Sequence, residues 1–295
     1  MEFFLQLLIN GLVIGSIYAL LALGFVIIYK SSGIFNFAQG EFLLLGAYIC
    51  LAVVVEFGIP FWWSFLITLA FAAVLGVLIE RLVLRPMIGE PVISVIMVTL
   101  GLASVLRALV QGIWGTDTRP FPGVFPPDPV MIGPLPVSQG YLYSMAAVTV
   151  LFLVFSWFFT FSRSGIAMRA TAFSQEVALS MGISVKRIFA LSWSIAAVVS
   201  AVGGVLLGSI RGGVDGSLAL FGLKVVPVAI LGGLDSVLGA IVGGLVIGVL
   251  ENLSGGYLDP IFGGGVKEVA PFIVLVVILT VKPYGLFGKV KIERV

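Results

Sequence analysis

The chain has 295 residues, 60% of them hydrophobic, with only 16 Lys+Arg and 14 Asp+Glu. A soluble domain carries about 25% charged residues, and a mean hydropathy of +1.22 leaves too little polar surface to wrap a soluble globule. The soluble-enzyme classes therefore drop out, and the expected fold class is an all-α polytopic membrane bundle of about 8–10 spans, one transmembrane domain over residues 1–295.

There is no His and a single Cys, Cys50. That excludes His-based acid/base chemistry, the usual zinc sites and an intrachain disulfide. No GxxxxGK[ST] loop occurs, so the chain cannot hydrolyse ATP through a phosphate loop of that kind. The basic residues sit between apolar segments and form no patch, so no nucleic-acid partner is expected.

A span needs about 20 apolar residues to cross a core of about 30 Å. Nine segments fit or nearly fit: 4–29, 37–55, 61–80, 91–113, 141–161, 188–210, 218–234, 236–252 and 269–283. The first, Phe3 to Tyr29, has no Lys or Arg ahead of it and contains Gly11, Gly15 and Gly24, so it reads as a span and not as a cleaved leader. The runs are too long, and alternate too little, for barrel strands. Segments 218–234 and 269–283 are short and could be re-entrant.

With the C-terminus placed in the cytoplasm, eleven basic residues fall inside: Lys30, Arg81, Arg85, Arg163, Arg169, Lys186, Arg187, Lys282, Lys289, Lys291 and Arg294. Three fall outside, Arg119, Arg211 and Lys267. The excess puts the N-terminus outside and the C-terminus inside. The external loop 114–140 holds seven of the fourteen prolines, including Pro126, Pro127 and Pro129, and is expected to be ordered and non-helical. The loop 162–187 is the longest internal loop and the most basic. The external loop 253–268, with Gly255, Gly256 and Gly263 to Gly265, is expected to be mobile.

Within the internal loop, Ser174 has the character of an N-cap, Gln175 and Glu176 suit a first turn, and Gly182 is a stop. The spacing predicts a short helix over 175–181 with Val177, Ala178 and Met181 within reach of one face. Such a stripe must be covered. It either packs on the protein's own spans or the lipid interface, or docks into a cytoplasmic partner. Asn36 and Gln39 have the spacing of a capping box opening the second helix, with Glu41 one turn inside. These residues either position that helix or line a pathway.

Pro227, Gly232 and Gly233 break a helix. Gly239/Gly243, Gly244/Gly248, Gly11/Gly15 and Gly204/Gly208 are pairs four apart that allow close helix packing. Interrupted spans around a cavity are a compatible second reading, with Asn36, Gln39, Gly40, Glu41, Gly232 and Gly233 as its candidate lining. Glu80, Arg107, Lys224 and Glu251 lie near predicted span ends, where snorkelling to the interface accounts for most of them. No span carries two buried carboxylates or an Arg series, which argues against a proton pump, an ion-coupled symporter and a voltage sensor. Energy from a separate ATPase subunit fits that pattern, and a passive pore is the main competitor.

Four segments resemble one family. They are Asn10 to Leu20 with Gly24 and Tyr29, Phe35 to Phe42, Ser164 to Ile183, and Leu231 to Gly244. In this order and over nearly the whole chain they are similar to the permeases of bacterial ABC importers for branched-chain amino acids, the Liv family, and most like its H-type. The resemblance implies a multi-pass protein of the bacterial inner membrane with a second homologous permease of the M-type beside it. It further implies two cytoplasmic ATPase subunits below and a periplasmic substrate-binding protein above. This chain would be non-catalytic and hold no cofactor, ATP and Mg being bound by the ATPases. Ser174, Gln175, Glu176, Val177, Ala178, Met181 and Gly182 would then dock on the ATPase, and loops 114–140 and 253–268 would face the binding protein. Relatives that import urea, short amides or aromatic acids share these motifs, and a stand-alone carrier or channel is the remaining rival.

Overall fold

The computed structural model describes residues 1–288 apart from Pro127 and Pro134, and the backbone alone at Ile132. Lys289, Lys291 and Arg294 from the inside tally lie outside the described residues, as does Pro127. The helices are α1 (Glu2–Ser32), α2 (Gln39–Val55), α3 (Phe61–Ile79), α4 (Val92–Trp114), α5 (Gln139–Phe161), α6 (Arg163–Phe173), α7 (Gln175–Ser180), α8 (Val185–Arg211), α9 (Phe221–Gly232), α10 (Val237–Tyr257), α11 (Asp259–Phe262) and α12 (Val266–Val281). All nine apolar segments are helical. Among the described residues six helices, counting α3 through Met87, have the length and apolarity to cross a membrane; α2 and the 216–232 stretch are shorter.

α1 is the axis. From Gly15 to Ile28 every residue is buried. A helix apolar on all sides needs neighbours on all sides, and α8, α9 and α10 supply most of them. Glycine sets the spacing. A Cβ on Gly15 would lie 2.7 Å from the Gly244 carbonyl oxygen, and one on Gly11 2.7 Å from the Val249 Cα. These contacts run α1 and α10 in opposite directions with their backbones touching. Gly46 against Ala201 and Gly204 against the Leu43 carbonyl do the same for α2 and α8. The small-residue pairs are thus helix-packing devices.

One end of the bundle gathers the close of α1, the start of α4, α7 and the start of α8 around a small cavity lined by Ser32, Met87, Val92, Gln175 and Phe189. The opposite end holds the loops. There β1 (Arg119–Pro120) pairs antiparallel with β4 (Gly213–Val214), and β2 (Val130–Ile132) with β3 (Leu135–Val137). Phe121 is buried against Gly208, so this Pro-rich loop is tied to α8.

Four expectations are corrected. The capping box at Asn36 does not form: α2 begins at Gln39 with Ala38 at its N-cap and no side-chain cap bond. Asn36 Oδ1 instead accepts from the Ala38 N–H at 3.0 Å, because the Gln39 amide is drawn into the bundle by Ser200 Oγ at 2.7 Å. Segment 253–268 is largely helical: α10 runs through Gly255 and Gly256, and Asp259 Oδ1 accepts from the Val266 N–H at 2.7 Å. The internal loop holds an unexpected helix, α6, opened by Ser162 Oγ accepting from the Gly165 N–H at 2.9 Å. Finally, α3 does not simply stop but continues through a π turn, Glu80–Leu84, and a 3-10 turn, Arg85–Met87.

Gly15→Leu should drive α1 and α10 apart, costing about 1–3 kcal/mol and lowering the melting temperature in detergent. Gly123→Leu, where a side chain meets open space, should leave it unchanged. Equal melting temperatures for the two variants would remove the axial-packing claim.

Candidate functional site

Helix α7 is a small, well-terminated unit. Ser174 Oγ accepts from the Val177 N–H at 3.3 Å. At the other end the Gly182 N–H reaches the Leu179 carbonyl at 3.0 Å and the Ile183 N–H reaches the Ala178 carbonyl at 2.9 Å. With Gly182 at φ +78°, this is the paired-bond stop that glycine makes possible. Ala178 is not on the open face. It is 1% exposed and packs on Val185 and Phe189 of α8. The open surface carries Val177, Leu179, Met181 and, from the end of α6, Phe173, each more than half exposed. Ala178 thus anchors α7 to the body, and larger apolar side chains remain uncovered around it. A crevice of about 690 Å³ opens beside α7, lined by Lys30, Arg169, Ser174, Gln175 and Asp235 among others.

Asn36, Gln39 and Glu41 are all buried. Asn36 Nδ2 donates to Gln39 Oε1 at 3.1 Å, and Gln39 Nε2 donates to Ser200 Oγ at 2.7 Å. Gln39 thus stands against Gly24 near the middle of the bundle, where α2 starts. The preceding segment 33–38 is irregular, and Thr99 Oγ1 donates to the Phe35 carbonyl at 3.2 Å. Non-helical backbone at this depth is tolerated only where protein or water satisfies it. Gly40 meets Gly222 and the Ala219 carbonyl, so the starts of the two short helices α2 and α9 face each other. Gly232 and Gly233 lie elsewhere. Gly232 closes on Gly239, and its carbonyl accepts from the Phe287 N–H at 3.1 Å.

The charges expected to snorkel are paired inside the protein. Arg107 Nη2 lies 2.5 Å from Glu41 Oε1. Arg85 grips Glu80 with two bonds, at 3.2 and 2.8 Å, across the π turn that puts the carboxylate within reach. Lys224, on the first turn of α9, lies 2.7 Å from both Glu251 and Glu268. Tyr18 of α1 donates to the other Glu251 oxygen at 2.7 Å. The ammonium thereby ties α9, α10 and α12, and the Glu251 carboxylate adds α1. Partners 66 and 27 residues apart leave no local signal; the oddity of a charge within an apolar run was the available clue.

Long apolar helices, with short ones meeting at a buried polar centre, make an all-α polytopic membrane protein. The chain belongs to the family described as the permease component of branched-chain amino acid transport systems, whose model matches residues 7–281. It is 32% identical to the high-affinity branched-chain amino acid transport system permease protein LivH of Escherichia coli K12, over 99% of this chain and 98% of that one. It is also 32% identical to the permease protein BraD of Pseudomonas aeruginosa, with the same coverage. A probable permease protein LivH of Methanocaldococcus jannaschii is 28% identical over 96% of this chain and 92% of that one. A chain of PsaBC from Streptococcus pneumoniae in complex with Fab aligns with 93% of this chain and 90% of that one at 14% identity and a TM-score of 0.49, too loose a likeness to bear on function. The chain is accordingly a non-catalytic permease component.

Removing one partner of a buried pair leaves an uncompensated charge, at about 3–5 kcal/mol. Lys224→Met should therefore lower thermal stability strongly, and adding Glu251→Gln should recover much of it. No recovery in the double variant would show that the Lys224–Glu251 contact does not hold these helices.

Proposed function

We propose that this permease is one membrane-spanning subunit of an ATP-driven importer that passes branched-chain amino acids across the bacterial inner membrane. The family and the names of the relatives support the cargo. In this reading a periplasmic binding protein delivers the amino acid, two cytoplasmic ATPase subunits bind ATP and Mg, and a homologous second permease completes the route. The N-terminus lies outside and the C-terminus in the cytoplasm, on the weight of the lysines and arginines at the α7 end.

The observation that carries the reading is the exposed apolar surface of α7. Val177 and Leu179 on a helix of six residues, Met181 at its C-cap and Phe173 at the end of α6 stand uncovered, at the end with most of the basic residues. A short helix with a satisfied start and stop is a rigid knob, and an apolar knob in water calls for a groove. Docked on an ATPase, α7 would transmit nucleotide-driven closure through Ala178 into Val185 and Phe189 of α8. ATP would then shift the permease between states that differ in their contacts with the ATPases.

Val177→Glu combined with Met181→Glu should abolish leucine uptake by the reconstituted transporter while leaving the permease in the membrane at its normal level. Undiminished uptake would sink the docking claim. Ala178→Arg should act differently, by forcing α7 off α8 and lowering the melting temperature. Uptake of urea, short amides or aromatic acids in place of leucine would replace the cargo class, and accumulation by this chain alone in liposomes would end the subunit reading.

A further inference from the structure

The two exposed flanks of α4 differ in chemistry. On one, Val105, Leu109 and Ile113 are 56%, 53% and 65% exposed, the surface expected toward lipid. On the other, Gly101, Ser104, Ala108 and Gln111 follow one another at helical spacing, all exposed, with Met97 and Leu100 exposed on the turn before them. Gly101 has open space beside it, and Gln111 Nε2 lies within 3.7 Å of where a Cβ on Gly216 would stand. This flank of small side chains thus borders, at Gln111, the 3-10 turn Gly216–Leu220 that leads into α9.

Arg107 lies at the edge of this flank. Its side chain is 41% exposed although it sits seven residues, about 10 Å, before the end of α4. It cannot retreat to the interface, because Glu41, itself buried on the first turn of α2, holds it. A guanidinium has five N–H donors and no acceptor. Glu41 takes one terminal nitrogen, and Arg107 Nε is buried with no hydrogen-bond partner among the described residues. Hydrocarbon cannot solvate what remains exposed. The site has more donors than acceptors, next to an exposed strip of small side chains on which Ser104 Oγ donates to the Leu100 carbonyl at 3.2 Å.

We propose that the Gly101–Gln111 flank of α4 walls the water-filled route and that Arg107 receives the carboxylate of the passing amino acid. The planar fork of Arg suits a carboxylate. Glu41 keeps the guanidinium aimed and partly neutralised, so that the cargo is held briefly and released. The inference rests on the import reading above and adds to it the group that meets the cargo.

The test uses the whole transporter in liposomes with L-leucine. If the unaltered complex does not take up leucine, the function reading fails and not this one. In a Cys50→Ser background, Ser104→Cys and Ala108→Cys should react with a charged, membrane-impermeant thiosulfonate, and Val105→Cys and Leu109→Cys should not. Leucine-loaded binding protein with ATP should slow the Ser104→Cys reaction. The neutral pair Glu41→Gln/Arg107→Gln should lose uptake by about tenfold or more. The swapped pair Glu41→Arg/Arg107→Glu keeps an ion pair but reverses the presented charge, and it should lose as much. Uptake near normal in the swapped pair would reduce Arg107 to a structural partner and overturn the proposal. So would inert cysteines at 104 and 108. Where neither double variant inserts, the protection of Ser104→Cys decides: labelling unchanged by cargo overturns the assignment.

Discussion

The structure depends on how closely α1 can be approached. Helices in hydrocarbon gain nothing from expelling water between them, so they associate through packing and hydrogen bonds. Gly11, Gly15, Gly244 and Gly248 bring the backbones of α1 and α10 into contact, and that contact fixes where every polar side chain on these helices can reach. Tyr18 meets Glu251 because Gly15 meets Gly248 one turn away. Lys224 then ties the start of α9 to Glu251 of α10 and Glu268 of α12.

The charges show the same economy. Glu56 and Arg119, both well exposed, sit 3.5 Å apart at the loop end, where such pairs contribute little. Pairs with a buried carboxylate are closer, and two of them join a short or interrupted element to a long one: Glu41 of α2 to Arg107 of α4, Lys224 of α9 to Glu251 of α10. Helices α2 and α9 are 17 and 12 residues long, too short to anchor themselves by apolar length alone. Their ion pairs hold them in place.

The long spans were legible because burial in hydrocarbon writes itself as an unbroken apolar run. The small-residue pairs were legible for the same reason, since glycine four apart in such a run has few other uses. Ser174 and Gly182 bound α7 as their local chemistry dictates. What escaped was decided between distant segments. Asn36 and Gln39 had the spacing of a cap, but Ser200, 161 residues away, captured the Gln39 amide. Ala178 read as one more member of an apolar stripe, and only the approach of Phe189 shows it to be the covered one. α6 went unread although Ala167, Met168, Arg169, Ala170 and Ala172 favour a helix, because at 11 residues it is too short for an apolar run to mark it. Family membership makes the chain a permease component, yet neither it nor any local motif singled out Arg107, whose partner stands on another helix.

Helix α8 is an unbroken rod of 27 residues, about 40 Å in length. Its first turn carries the pad for Ala178, its middle carries Ser200 against Gln39, and its far end holds Gly208 under Phe121. The α7 contact and the loop contact therefore sit on one continuous helix. Pivoting it by about 5° sweeps the far tip by about 3.5 Å for a rod of that length, enough to alter fit at the loops without unfolding a single turn.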